Sequence, residues 1–314
     1  MVIGNGFDLD LGFKTKYSDF AASEEWESML AENKERCRKG SLMLFLDDKR
    51  KIDDWFDIEA LLLEFATSDR TNRGFVPNAE EDYKDFFLIC DALKRYLTRI
   101  MTTDHIESYE SVAVKLVNAY YKEFSNNNEV FSFNYTSIEQ ILKSISNNYH
   151  ITPFVHIHGS ILDDSLILGI ESESPLTVIP GYSFLYKTNS PHYKSIDIER
   201  SLLESEEVII FGHSLNQIDA PYFKPYLQML EEERVGMIEG ITGSQGEIKR
   251  RLTIITYDDN SDRVIRDNIR AMGISLHRIF NHATVEFIKT KDVDEGGNDT
   301  KKLEALLDRM RFQI

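Results

Sequence analysis

The spacing of apolar positions changes along the chain. From 17 to about 124 they recur three and four residues apart, as at Phe86, Leu93, Leu97 and Ile100, and a second such pattern runs over 112–124; both predict helices. Beyond that point short apolar runs predict strands at 130–135, 154–157, 166–170, 208–211 and 252–257. Between them lie helical segments at 137–146, 222–230 and 264–272. Alternating β and α elements predict an α/β fold that is Rossmann-like, a mainly parallel sheet flanked by helices. Val2-Ile3 reads as the end of a first strand, and since strands usually run about five or six residues, that strand is expected to begin before the first recorded residue. The helical stretch 17–125 is then an insertion after the first strand, inside a single domain spanning 1–314. Segments 241–246 and 292–300, rich in Gly, Ser and Asp, predict exposed loops, the second leading into a C-terminal helix.

Composition narrows the function classes. With 314 residues, 42% hydrophobic and 11% aromatic, the chain can bury a large core, and no stretch reaches the length of a membrane span. The 53 Asp and Glu against 36 Lys and Arg give a formal charge of −17, which repels a nucleic-acid backbone and argues against a nucleic-acid partner. A dinucleotide stays possible, because glycine loops and helix N-termini hold phosphates through backbone N–H groups. Cys37 and Cys90 are far apart, so neither a zinc site nor a disulfide framework is indicated, and both read as structural thiols in a reducing cytosol. Polar, glycine-rich sequence begins at Gly4 where a signal peptide would be apolar, so a cytoplasmic location is expected.

Four short strings follow apolar runs: GNGFD at Gly4 to Asp8, FSFNYT at Phe131 to Thr136, HIHGS at His156 to Ser160, and FGHSL at Phe211 to Leu215. Loops at the carboxyl ends of strands form the ligand sites of open α/β sheets, so four of them predict one shared pocket for a small-molecule nucleotide. Gly4-Asn5-Gly6 would let a phosphate approach the backbone, or is an ordinary tight turn, since Leu9 stands where a third fingerprint glycine belongs. Asp8 would cap the next helix or accept from a ribose hydroxyl. Asn134 can donate to and accept from a carboxamide such as nicotinamide. Thr136-Ser137-Ile138-Glu139 fits a capping box, which favours a structural role for Thr136.

His156 and His158 are two apart on a predicted strand; a metal site would need further ligands from elsewhere, and none is predicted. His158, directly before Gly159, is a candidate general base, with His156 as its support. Gly212-His213-Ser214 lacks the second glycine of a hydrolase elbow, so Ser214 reads as a ribose or phosphate contact, with Asp219 five residues on. A helical face through Trp55, Leu62 and Ala66 places Glu59 in its middle, where a buried carboxylate either bridges to a core partner or reaches the pocket.

Taken together, GNGFD-L with Gly12, Thr15, Tyr17 and Phe20, the Trp55-x-Asp57-x-Glu59 segment, FNYT, HIHG, the Gly169 strand and FGHSL with Asp219 resemble the AbiH family of phage abortive-infection proteins. More distantly, the order of glycine turn, Asn loop, His-Gly and Gly-x-Ser-Leu is similar to the sirtuin-like NAD-binding series. That resemblance implies NAD as substrate or ligand, with Gly4 and Gly6 at the pyrophosphate, Asn134 at the nicotinamide ribose, His158 at a ribose hydroxyl or the attacking water, and Gly212, His213 and Ser214 at the adenosine ribose. Thr136 replaces the sirtuin acid, and the deacetylase zinc cysteines are missing. The expectation is a phage-defence effector that hydrolyses the nicotinamide N-glycosidic bond with Asn134, His158 and Glu59, held silent by self-association or a protein partner. A non-catalytic NAD-sensing module is the alternative, and a nuclease-type toxin a weaker one.

Overall fold

The computed structural model describes residues 1–52, 56–67, 78–103, 110–121, 129–146, 151–171, 178–232 and 249–311. Six strands, β1 (Val2–Ile3), β2 (Phe131–Ser132), β3 (Val155–His156), β4 (Glu207–Phe211), β5 (Arg251–Thr256) and β6 (Thr284–Lys289), form one sheet in the order β3-β2-β1-β4-β5-β6. Every pairing is parallel. A sheet built this way from β-α units is the Rossmann-like α/β arrangement that the sequence pattern predicts, and its strand order reverses between β1 and β4.

The helices are α1 (Asn5–Asp10), α2 (Tyr17–Ala21), α3 (Glu24–Glu32), α4 (Leu42–Arg50), α5 (Ile58–Thr67), α6 (Ala79–Thr103) and α7 (Val112–Tyr120) before β2. After it come α8 (Ile138–Ser146), α9 (Ile198–Glu204), α10 (Ala220–Glu232), α11 (Asp259–Ala271), α12 (Leu276–His282), α13 (Thr290–Asp294) and α14 (Asp299–Arg311).

Side chains of a strand point alternately to its two faces, and β4 shows the consequence. Ile209 and Phe211 join Ile3, Ile255 and Ile288 in a core closed by α7, α8 and α14. Val208 and Ile210 join Val2, Leu252 and Ile254 in a second core closed by α9, α10, α11 and α12. Each fully buried Ile or Leu contributes about 1.5–3 kcal/mol, so both faces of a central strand must be apolar, and they are.

A third core belongs to the helices between β1 and β2. Trp26, Leu46, Leu62, Phe65, Phe86, Leu93, Leu97 and Ile100 are buried together there, and Tyr135, Leu168, Ile170 and Leu185 reach in from the sheet side. The stretch 17–125 therefore divides: α2 to α6 build their own core, whereas α7 packs on the sheet as the crossover into β2. Asp10 ties α7 down by accepting from the Ala113 amide at 2.8 Å.

Several local expectations are corrected. Segment 166–170 is not a sheet strand; it makes one isolated bridge, Ile170 to Tyr186. β6 and α12 were not predicted, and the loop expected over 292–300 narrows to 295–298, between α13 and α14. The predicted loop 241–246 and Trp55 lie outside the described residues.

Candidate functional site

The loops after β1 and β4 touch. The Gly4 amide donates to the Phe211 carbonyl and the Gly6 amide to the Gly212 carbonyl, both at 2.9 Å. A Cβ on Gly4 would lie 2.7 Å from His213 Cα, and one on Gly6 2.6 Å from Gly212 Cα. Gly212 itself has φ +66°, which an L side chain disfavours. These glycines let two backbones meet at the reversal of strand order, where open α/β sheets form their ligand crevice.

Beside this contact Asp8 is buried on α1. Asn134 donates from Nδ2 to Asp8 Oδ1 at 2.7 Å and to the Gly4 carbonyl at 3.0 Å, and the Thr136 hydroxyl donates to Asp8 Oδ2 at 2.5 Å. Burial pushes the Asp8 carboxyl up to about 7 against the pull of these donors. Glu139 turns to His156 Nε2 at 3.4 Å, and His156 Nδ1 lies 3.0 Å from the Asn134 carbonyl oxygen. The capping box expected from Thr136 and Glu139 is thus replaced: both side chains are drawn into tertiary contacts, Thr136 with buried Asp8 and Glu139 with half-buried His156. His156, expected to support His158, instead contacts the Asn134 carbonyl and Glu139.

A second polar cluster centres on Lys187, which is 1% exposed in a 3-10 turn, Lys187–Asn189. Its Nζ donates to Glu59 Oε2 at 3.1 Å and lies 3.0 Å from His158 Nε2. Glu171 Oε1 is 3.5 Å away and Asp219 Oδ1 3.8 Å. Tyr135 donates to the other oxygen of Glu59 at 3.1 Å, and Tyr222 donates to Glu171 Oε1 at 3.0 Å. The Leu215 amide donates to His213 Nδ1, which leaves the proton on Nε2, 3.2 Å from Asp219 Oδ2. The Phe133 ring fills the space between His158 and His213, at centroid distances of 5.2 and 4.4 Å.

The electrostatics of this cluster follow from one ammonium facing three carboxylates. Burial opposes charge on Lys187, but Glu59, Asp219 and Glu171 outweigh it and hold the ammonium above its ordinary value. Burial likewise opposes charge on Asp219, yet Lys187 and His213 hold it well below the usual carboxylate range. Glu171 is held low in the same way, against burial, by His158 and Lys187. Glu59 goes the other way, burial pushing it up to about 7 despite Lys187. His158 is driven below its ordinary value by burial and then by Lys187, so its imidazole is neutral.

Of the residues singled out from sequence, Glu59 and His158 share Lys187, while Asn134 belongs to the neighbouring Asp8 cluster. Gly4, Gly6, Gly212 and His213 meet at the strand reversal. Asn5 and Ser214 are exposed; Asn5 Oδ1 accepts from Thr15, and the Ser214 carbonyl accepts from Asn268. Sequence reasoning missed Lys187, Glu171 and Tyr222. Glu171 follows the Gly169 segment and had a signal in that position, but Lys187 sits in no motif.

A parallel α/β sheet whose strand order reverses between β1 and β4, with a buried polar cluster nearby, defines the class: a Rossmann-like α/β protein. The chain belongs to the bacteriophage abortive infection AbiH family, whose model matches residues 1–238, and its role is accordingly in phage abortive infection. No curated protein and no solved structure matches it. Among the described residues no helix is long and apolar enough to cross a membrane.

Proposed function

We propose that this protein binds NAD at the carboxyl ends of β1 to β4 and hydrolyses its nicotinamide N-glycosidic bond during abortive infection. The observation that carries the reading is the excess of carboxylates in the cluster: among the described residues Glu59, Glu171 and Asp219 surround one ammonium, Lys187, and the two that are held low, Glu171 and Asp219, already outnumber it. The nicotinamide ring of NAD is cationic, and cleavage moves that charge onto the ribose. A carboxylate about 4 Å from such a charge, at an effective dielectric of about 20, is worth about 4 kcal/mol.

In the reaction the bond between ribose C1′ and the nicotinamide nitrogen breaks, and its electron pair leaves on the ring, which becomes neutral. Asp219 and Glu171 stabilise the cationic sugar. Water forms the new bond to C1′ and gives its proton to neutral His158, a step worth roughly 10²–10⁴ in rate. Asn134, whose Nδ2 is committed to Gly4 and Asp8, offers Oδ1 to the water or to the nicotinamide amide. Self-association or a protein partner keeps the activity silent before infection.

A second reading, binding without turnover, draws on the Thr136 hydroxyl, which stands where sirtuins carry an acid and is committed to Asp8. The test is nicotinamide release from NAD by wild type, His158→Ala and Asn134→Ala, each checked for folding by circular dichroism. Release lost in both variants supports hydrolysis. Intact NAD recovered bound supports the sensor, and neither release nor binding rejects both.

A further inference from the structure

We propose that His158, Glu171 and Asp219 form a divalent-cation site, and that the Lys187 ammonium competes with the ion for it. One imidazole nitrogen and two carboxylate oxygens from three separate stretches of chain lie within 4.8 Å of one another, all buried. One imidazole and two carboxylates suit borderline Zn²⁺, and also Mn²⁺, which accepts mixed nitrogen and oxygen ligands, better than Ca²⁺, which prefers an all-oxygen shell.

An independent feature is the orientation of Asp219. Its Oδ2 is taken by His213, whereas Oδ1, completely shielded from solvent, has no hydrogen-bond partner among the described residues. That oxygen faces His158 Nε2 and Lys187 Nζ, each at 3.8 Å. A buried acceptor without a donor costs about 1–3 kcal/mol, more when charged, and a metal ion is the partner that would satisfy it.

The surroundings have the form of an outer ligand shell. Tyr222 holds Glu171, and His213, fixed in one tautomer by the Leu215 amide, holds Asp219. Such outer hydrogen bonds aim first ligands at an ion. Metal–ligand bonds run about 2.0–2.2 Å, so the ligands must draw together as the ion enters and Nζ must withdraw. Glu59, outside the triad and already bonded to Nζ, is where the ammonium goes.

A bound ion and the cationic nicotinamide would compete for the same carboxylates, so the test uses the full chain without nucleotide and reads metal binding separately from the NAD reading. Mn²⁺ is titrated in and free ion is read by electron paramagnetic resonance, with folding followed by circular dichroism. We expect one saturable Mn²⁺ per chain, at least tenfold weaker binding in Asp219→Asn and in Glu171→Gln, and at least tenfold tighter binding in Lys187→Met. No saturable binding by wild type, or binding that both folded carboxamide variants leave unchanged, overturns the site. Unchanged affinity in folded Lys187→Met overturns the competition.

Discussion

The Gly6 amide donates to the Gly212 carbonyl at 2.9 Å, with the Gly212 Cα 2.6 Å from where a Gly6 side chain would begin. This contact joins the loops after β1 and β4, so the floor of the candidate crevice is made of backbone in mutual contact. A methyl group at Gly212 meets Phe7 N at 2.4 Å and also requires φ +66°. Gly212→Ala is expected to cost about 2–5 kcal/mol, overpacking added to backbone strain. Gly273 has φ +83° with nothing within 4 Å of its missing side chain. Gly273→Ala therefore pays the strain alone, about 1–2 kcal/mol. Urea denaturation of the two variants measures the difference, and equal losses would contradict crowding at the loop contact.

Asp8 makes stability depend on pH. Its carboxyl ionises at about 7 in the folded protein, against an ordinary 3.8. Below 3.8 both states hold the proton; between the two values the unfolded chain releases it and the folded one does not. Stability is predicted to fall as pH rises through that window, by on the order of 4 kcal/mol, and to level off above it. Asp8→Asn has no proton to lose. Its stability relative to wild type should be greater at pH 8 than at pH 4, as read by denaturant melts, and a constant difference would remove Asp8 as the cause.

Glu59 sets a pH dependence of a different kind. Below about 7 it is protonated and holds Lys187 weakly; above that value it ionises and draws the ammonium from His158. Nicotinamide release is expected to rise through pH 7, and Glu59→Gln to lack that limb. A rate profile of the same shape in the variant would assign the limb to another group.

The family match ends at residue 238, yet β5 pairs with β4 at five positions, and Leu252, Ile254 and Ile255 are fully buried. A chain stopped at residue 248 would expose the central strand β4 along one edge and lose part of both sheet cores. It is predicted to show no cooperative thermal unfolding by circular dichroism. A cooperative melt would mean that the first part folds alone.

The fold was legible wherever one local period decided the element. Strand β4 showed as an unbroken apolar run, Val208 to Phe211, whose residues the structure sends alternately to two cores, and α6 repeats its apolar residues at helical spacing. The short strands β1, β2 and β3 were harder, because two paired residues carry no period. Glycine positions marked the contact between the loops after β1 and β4, since close backbone approach calls for them. Lys187 was illegible: its partners Glu59, His158, Glu171 and Asp219 come from four distant stretches, and nothing near residue 187 announces a buried ammonium. Thr136 misled for a related reason, as its local sequence fits a cap while its hydroxyl serves Asp8, 128 residues away.

The central claim is that the carboxylates around Lys187 recognise the cationic nicotinamide ring. Calorimetric binding of NAD and of NADH, whose ring is neutral, compares two ligands of nearly the same shape. The account predicts NAD binding at least tenfold tighter, a factor of about 1.4 kcal/mol, with most of the preference lost in Asp219→Asn. Equal affinity for the two, or no binding of either, would contradict it.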